Sequence, residues 1–570
     1  MKLSEGFQLL ATASDGVPLL RELVLSLAVR GKLVPQDSRE EPASALLEKM
    51  NAERESAIRD GRLRRGKVAS VVGSSLFKLP AGWQWARLGQ VGDWGAGATP
   101  ARSNPEYYGG GIPWFKSGEL RSDYVSRSEE TITQAALNDC SLRLNKAGDV
   151  LVAMYGATIG KTAILSSPAT TNQAVCACTP FTGLDSRYLL LLLRSMRSYF
   201  IGLGAGGAQP NISREKIIAS VIALPPAAEQ VRIIAKVDEL MKLCDELETH
   251  GRLESEQHAR LTAALFDPLA ASESAHALAE NWARVAAHFD LLLDRPEAVD
   301  ALERAIGRMA VRGLLVPQDP ADTPARALLA EIQSRKARLI AEGKIKREKE
   351  LPVISDDDAP FELPAGWTWA RFPELGEFGR GKSKHRPRND PTLFSPGVYP
   401  LIQTGDVARA DRVIERFNAQ YSESGLAQSK LWPAGTLCIT IAANIADSAI
   451  LGFDACFPDS VVGFVPIGEL VDGRYLLTFI ETAKDDLTAF APSTAQKNIN
   501  LEILNNVLIP VPPRNEMLRI VSRVEELRNL CGALRARLTA GQTCQARFSE
   551  AMVEQVAASQ EDKGEFAAAA

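Results

Sequence analysis

Few residues in this chain come near a reactive constellation. Tyr155–Ala163 reads YGATIGKTA, the closest approach to a phosphate-binding loop. Such a loop needs Gly, four residues, then Gly-Lys-Ser/Thr, so that backbone amides and the lysine can cradle phosphates. Here Gly156 stands three residues before Gly160 and Tyr155 occupies the required position, which marks a tight turn after a strand. Leu224-Pro225-Pro226-Ala227 and Val511-Pro512-Pro513-Arg514 lack both the leading Asn/Asp and the closing aromatic with which an amino-methylating loop holds a flipped base. There is no Gly-x-Ser-x-Gly elbow and no His-Glu-x-x-His motif. Cys176 and Cys178 are the only close cysteine pair, and none of the five histidines lies near them. That spacing argues for reduced thiols in a cytoplasmic protein and against a disulfide framework or a structural zinc. Nothing assembles a nucleophile, a base and a stabiliser, so the chain is expected to do no chemistry alone and to hold no cofactor or metal.

What remains is charge. Gly379–Asn389 reads GRGKSKHRPRN, with Arg380, Lys382, Lys384, Arg386 and Arg388 around His385 and no acid. Guanidinium and ammonium groups on such a loop can displace the counterions of a phosphate backbone. A solvated loop explains the same run, and the whole chain offers no support, since 65 Lys/Arg against 70 Asp/Glu leave a net charge of −5. The charge is uneven, however. Residues 79–225 hold 13 basic and 10 acidic side chains, a net of +3, whereas 229–256 hold 4 and 8, a net of −4. Residues 363–512 hold 13 and 16, a net of −3 that makes the cationic loop stand out.

The elements that must position these residues occur twice. Arg30–Asp37, RGKLVPQD, returns as RGLLVPQD at Arg312–Asp319. LPAGWQWAR (Leu79–Arg87) returns as LPAGWTWAR (Leu363–Arg371), and AQPNISREKIIASVIALPP (Ala208–Pro226) as AQKNINLEILNNVLIPVPP (Ala495–Pro513). The chain of 570 residues is thus a duplicated unit of roughly 260 residues, too long for a solenoid repeat. Each copy has a helical start, a globular stretch with short strand-like runs such as DVLVAMYG (Asp149–Gly156), and a long helix opened by a Pro-Pro pair. Ile233, Val237, Leu240, Cys244 and Leu247 step by 4, 3, 4, 3, as do Ile520, Val524, Leu527, Cys531 and Leu534. Those are the a and d positions of a coiled-coil seam, although a core-facing helix gives the same stripe. No apolar run is long enough for a membrane span. The loop matching the cationic one is Gly95–Gly110 (GAGATPARSNPEYYGG), where Arg102 is joined by Tyr107 and Tyr108. The copies therefore differ most where a ligand would be met.

AVRGKLVPQD, then LPAGWxWxxLG, then a variable region ending in QxNIxxxxIxxxxIxLPPxxEQ, a series that recurs with substitutions from about Phe7 to Phe548, resembles the specificity subunit of type I restriction–modification enzymes; the second copy departs in having Asn515-Glu516-Met517 where the first has Ala228-Glu229-Gln230. The resemblance implies an α+β chain with two globular mixed α/β target recognition domains. Long paired antiparallel helices, a coiled-coil spacer, would separate them about an internal pseudo-twofold. The expected parts are 1–78 helical, 79–225 the first recognition domain, 226–270 the central helix, 271–362 a repeat of the helical start with a linker, 363–512 the second recognition domain, 513–558 the C-terminal helix and 559–570 a disordered tail. It implies a non-catalytic reader of a bipartite double-stranded DNA target. Two methyltransferase subunits would bring S-adenosylmethionine, and two restriction subunits, where present, would bring ATP and magnesium.

For DNA contact the first domain offers Arg102, Tyr107, Tyr108, Lys116, Ser117 and Lys161, and the second Arg380, Lys382, Lys384, His385, Arg386, Arg388 and Thr404. Asn211 and Asn498, with Gln209 and Gln496, sit in Gln-x-Asn-Ile turns, where capping of the next helix is the preferred reading. Trp83, Trp85, Trp367 and Trp369 are expected in the core or at its lid. A duplicated protein-interaction scaffold, or a fused methyltransferase or nucleotide hydrolase, is the competing function.

Overall fold

The computed structural model describes residues 16–63, 77–204, 210–347, 351–355, 358–384, 387, 389–442, 445–489 and 499–558. Two units form: Met1–Leu253 with Gln542–Ala570, and Glu254–Gly541.

In the first unit, helices α1 (Gly16–Val29) and α2 (Ala43–Arg59) precede the globular stretch. That stretch opens and closes on one antiparallel clasp between β1 (Gln84–Arg87) and β10 (Val221–Leu224). Inside the clasp, β2 (Gly92–Ala96), β3 (Tyr108–Phe115), β4 (Tyr124–Val125), β5 (Glu130–Ile132), β6 (Val150–Ala153), β7 (Thr162–Leu165), β8 (Thr170–Thr171) and β9 (Val175–Pro180) make two sheets. One is five-stranded, ordered β2-β9-β6-β7-β4, and the other is β5-β3-β8. All four residues of β6 and of β7 are buried, which explains why these strands read as unbroken apolar runs. Helix α3 (Ser186–Ser195), capped by Asp185 accepting from the Arg187 N–H at 2.7 Å, buries Leu189–Leu193 in the core. Helices α4 (Arg197–Gly204) and α5 (Arg214–Ala219) follow.

The second unit repeats this plan. Helices α7 (Pro296–Val311) and α8 (Ala325–Ala341) lead to a clasp of β11 (Thr368–Arg371) with β21 (Leu508–Val511). Between them run β12 (Gly376–Arg380), β13 (Tyr399–Leu401), β14 (Val413–Ile414), β15 (Ala419–Tyr421), β16 (Leu431–Trp432), β17 (Leu437–Thr440), β18 (Ser448–Leu451), β19 (Ala455–Cys456) and β20 (Val461–Pro466). The five-stranded order β12-β20-β17-β18-β14 matches the first unit, and a β15-β13-β19-β16 sheet replaces the three-stranded one. Helix α9 (Gly473–Ala489) covers the sheet, and α10 (Leu501–Asn506) precedes the last clasp strand.

Helices α6 (Ala227–Ala270, 44 residues) and α11 (Arg514–Ala558, 45 residues) start just past the Pro-Pro pairs. The apolar stripe on each serves two purposes in turn. Ile233 and Val237 enter the globular core of the first unit, while Cys244 packs with Leu20 of α1 and Met552. Ile520 and Val524 do the same in the second unit, where Leu527, Cys531, Leu534 and Leu538 then pack with α7, Phe266 and Leu269. Leu247, the last position of the first stripe, is exposed.

One polar constellation fastens each long helix. Glu229, 1% exposed, accepts from Trp83 Nε1 at 3.0 Å and from Gln36 Nε2 at 3.2 Å, and Gln36 also donates to the Gly31 carbonyl at 2.7 Å. The second unit repeats it: Glu516 accepts from Trp367 Nε1 at 3.1 Å and Gln318 Nε2 at 3.2 Å, and Gln318 donates to Gly313 at 2.6 Å. The recurring Pro-Gln-Asp, Ala-Gly-Trp and Pro-Pro-x-x-Glu motifs are thus three sides of one contact. Trp83 and Trp367 are core residues as expected, and Trp85 and Trp369 lie edge-on to Phe77 and Phe361. Beside Glu229, Gln230 Oε1 accepts from the Asp185 N–H at 2.9 Å. In the second copy the Met517 sulfur accepts from the Asp472 N–H at 3.3 Å, so the methionine keeps the acceptor and loses the donor.

The capping expectation for Asn211 is corrected. Ser213, two residues on, caps α5 by accepting from the Lys216 N–H, and Asn500 at the matching place caps α10. Asn211 instead lies in a backbone bridge with Tyr155. Gln209, Gln496 and Asn498 lie outside the described residues.

Burial pushes the Glu229 and Glu516 carboxyls above their ordinary value of 4.5, against the pull of the Gln and Trp donors. In the window from 4.5 up to the raised native value, the folded chain holds a proton that the unfolded chain has released. The contribution is therefore full below 4.5 and declines as pH rises. Glu229→Gln cannot titrate, so denaturant unfolding of both proteins across pH 4 to 8 should show wild type losing ground to the variant as pH increases; a constant difference refutes the assignment.

Candidate nucleic-acid interface

In the first unit the loop after β2 folds back over β3 and β5. Arg102 donates to both Glu130 oxygens, at 2.5 and 3.3 Å, and lies 4.7 Å from the Tyr108 ring centroid and 5.3 Å from that of Trp114. Lys116 also donates to Glu130 and stands 5.8 Å from the Trp114 ring. Tyr108 is oriented by its hydroxyl, which donates to the Pro100 carbonyl at 2.7 Å, and Trp114 by Nε1 donating to Ala98 at 3.0 Å. Arg102 and then Lys116 hold the Glu130 carboxyl below the ordinary glutamate range, so it stays ionised and fixes both cations over the aromatic faces. Tyr107 is half-buried alongside, and Ser117 opens a short turn, Ser117–Glu119, closed by Glu119 accepting from the Lys116 N–H at 2.6 Å. Arg102, Tyr108 and Lys116 are thus one cluster.

Lys161 stands apart from that cluster, lining a cleft with Arg121, Arg194 and Arg197. The turn before it is occupied by its own backbone. The Gly156 N–H donates to Pro210, Ile159 to Gly156, Gly160 to Ala153 and Lys161 to Thr158. Amides so engaged cannot cradle a phosphate, which is the physical reason that the segment is a turn and not a nucleotide loop.

In the second unit Arg380 ends β12, and the loop beyond is tied by its main chain. The Lys382 N–H donates to Phe457 at 3.2 Å, the Lys382 carbonyl accepts from Ser429 Oγ at 3.0 Å, and the Lys384 N–H donates to Gln428 Oε1 at 2.6 Å. Arg380, Lys382 and Lys384 are exposed, and none holds a carboxylate among the described residues. His385, Arg386 and Arg388 lie outside the described residues. Thr404 opens the helical turn that matches Ser117–Glu119, with Asp406 accepting from the Gln403 N–H at 2.9 Å.

Sequence reasoning missed the acids and aromatics that hold these cations. Glu130 and Trp114 carry no motif. A detectable signal did exist for another pair: Arg143–Asp93 at 3.0 Å recurs as Lys430–Glu377 at 2.5 Å, and each partner sits at its matched place in the repeat. Lys430 also lies 3.6 Å from the Trp432 ring centroid.

A family model described as the type I restriction modification DNA specificity domain matches residues 80–255 and again 364–540. The chain belongs to this family. The EcoEI specificity subunit of Escherichia coli is 28% identical over 95% of this chain and 93% of its own length, and the EcoAI specificity subunit of the same organism 29% over the same shares. A solved chain from work on assembly and conformational transition of the type I R-M system aligns over 84% of this chain and 99% of its own, at 19% identity and a TM-score of 0.48. The family matches begin at the two entry turns and run into the two long helices, so each spans a clasp, its sheets and more than half of a long helix. Among the described residues no helix of this specificity chain is long and apolar enough to cross a membrane.

Gly160 sits at φ +77°, and a Cβ there would lie 2.7 Å from Arg197 Cγ and 3.1 Å from Arg197 Cα. Gly160→Ala should cost about 1–3 kcal/mol in thermal unfolding, whereas Gly156→Ala, with nothing within 4 Å of the new carbon, should show the backbone cost alone.

Proposed function

We propose that this chain is the DNA-reading subunit of a type I restriction–modification complex, in which two recognition domains, 79–225 and 363–512, each read one half of a bipartite duplex target. One observation carries the reading: a single frame of clasp, sheet and buried glutamate recurs in both units, while the loops mounted on it differ in chemistry. The first presents Arg102, Tyr107, Tyr108, Lys116 and Ser117 around Glu130, with Lys161 apart from them in the neighbouring cleft. The second presents Arg380, Lys382, Lys384, His385, Arg386, Arg388 and Thr404. Two unlike readers on like frames suit an asymmetric target, because phosphate contacts set position and base-edge contacts set sequence.

Helices α6 and α11 each run on from one unit into the other, and at 1.5 Å per residue each is roughly 66 Å long. They serve as the spacer, so that both half-sites engage only when helix length and DNA register agree. Two methyltransferase subunits carrying S-adenosylmethionine would supply the chemistry, restriction subunits with ATP and magnesium would add cleavage, and the complex would act in the cytoplasm.

Alanine at Arg380, Lys382 and Lys384 should lower the salt slope of duplex binding by about 3 in a shift titration of the assembled complex. Methylome sequencing should show the loss of fidelity at one half-site only; equal loss at both would refute the two-reader assignment. A heptad inserted into the exposed middle of α6, matched in α11, should change the spacing between half-sites and leave the bases of each unchanged.

A further inference from the structure

The first unit carries a cleft of about 1220 Å³ between α1, the α3–α4 corner and the turn before β7. Six cations line it, Arg30, Arg87, Arg121, Lys161, Arg194 and Arg197, against one acid, Glu22. Apolar residues such as Leu25, Leu120 and Ile201 form part of its lining, and Tyr199 is 51% exposed beside it. Not all of this charge is spoken for. Arg194 is paired with Asp123 at 2.7 Å and Arg121 only loosely with Glu129 at 3.5 Å. Lys161 and Arg197 hold no carboxylate among the described residues.

The second unit does not keep this feature. The β6–β7 and β17–β18 registers place Asp447 where the first copy has Lys161. In the repeat, Arg194 corresponds to Glu481 and Arg197 to Lys484, and the β4–β7 and β14–β18 registers put Ala410 in place of Arg121. There Lys484 is neutralised by Asp447 at 2.6 Å, Glu481 by Arg412 at 2.8 Å, and Arg371, the counterpart of Arg87, is buried. A frame held in common would keep these cations in both copies if folding required them. Arg30, Arg87 and Arg197 keep basic counterparts in Arg312, Arg371 and Lys484, whereas Arg121, Lys161 and Arg194 do not, and this concentration of unneutralised charge in one copy indicates a ligand that only this copy meets.

The cleft is also joined to the recognition cluster. Arg121 lies five residues beyond Lys116 in the same hairpin, and its partner Glu129 adjoins Glu130, which holds Arg102 and Lys116. Arg121 therefore lines the cleft while belonging to the chain segment that carries Lys116. We propose that this cleft binds the phosphodiester backbone of duplex DNA outside the first half-site, a sequence-independent anchor present in the first copy alone. This rests on the DNA-reading function above. The backbone would be held by ammonium and guanidinium groups that release its counterions, with Tyr199 against the sugar edge.

The test uses the complex with its methyltransferase partner and the triple variant R121A/K161A/R197A, chosen because these three are unpaired or loosely paired. The probes are a duplex containing the methylated target and one of scrambled sequence. Affinity for both should fall by about tenfold or more near 0.1 M salt, and the salt slope should drop by about 2–3. The methylated sequence and the assembly of the complex should be unchanged. K484A, at the matched position of the second copy, should leave the slope as it is. An unaltered slope in the triple variant overturns the anchor. So does loss of assembly at constant slope, which would make the cleft a seat for an acidic protein surface, and so does a change in the bases methylated, which would make it part of base recognition. Failure of the unsubstituted complex to bind either duplex at low salt would instead bring down the DNA-reading function, and this inference with it.

Discussion

A carboxylate withdrawn from water is costly unless hydrogen bonds replace its hydration, and each half of this molecule is organised around one such group. Glu229 and Glu516 lie in the first turn of the two long helices, where the unpaired amides favour negative charge. Each takes one donor from the tryptophan of the entry turn and one from the glutamine that follows the first helix. Three chain segments separated by up to about 200 residues therefore meet at one acceptor pair. The direction in which each long helix leaves its globular unit is set there, because tilting the helix would break both bonds and leave a buried charge unpaired.

On this common frame the ion pairs vary in an informative way. Asp93–Arg143 and Glu377–Lys430 keep their polarity between copies. Two others reverse it: Arg21–Glu248 becomes Glu303–Arg535, and Asp123–Arg194 becomes Arg412–Glu481. Pairs that stay partly open to solvent contribute modestly to stability singly. Reversal matters for a different reason. A duplicated chain risks packing the helix of one copy on the body of the other, and that exchange would set Arg21 against Arg535 or Asp123 against Glu481. Repulsion in the wrong arrangement discriminates where attraction in the right one hardly stabilises.

Much of the frame was legible because it is repeated. The Pro-Pro starts, the entry turns and the central strand runs could be placed by matching the chain to itself, and Trp83 and Trp367 were correctly read as core. The reading faltered where a side chain's role depends on what lies across space. Asn211 looked like a cap from its place before α5, yet the backbone of 210–212 pairs with the strand end at 154–156, which moves the cap to Ser213. The apolar stripe on α6 fitted a coiled-coil seam or a core-facing helix alike, and the structure divides it, with Ile233 and Val237 in a globular core before Cys244 reaches α1. Arg102 and Lys116 could be nominated as cations, but not Glu130, which converts two mobile charges into a fixed pair.

The order of elements, the duplication and the family follow from sequence alone, since each rests on local pattern or on comparing one stretch with another. Which charges remain free to meet a polyanion was decided only by the tertiary structure. Lys116 and Lys161 are the same residue type in the same domain, but one is held by Glu130 and the other faces an open cleft. Electrostatic pairing acts over a few ångströms in space, and residues 14 or 71 positions apart along the chain become partners only once the sheets have formed.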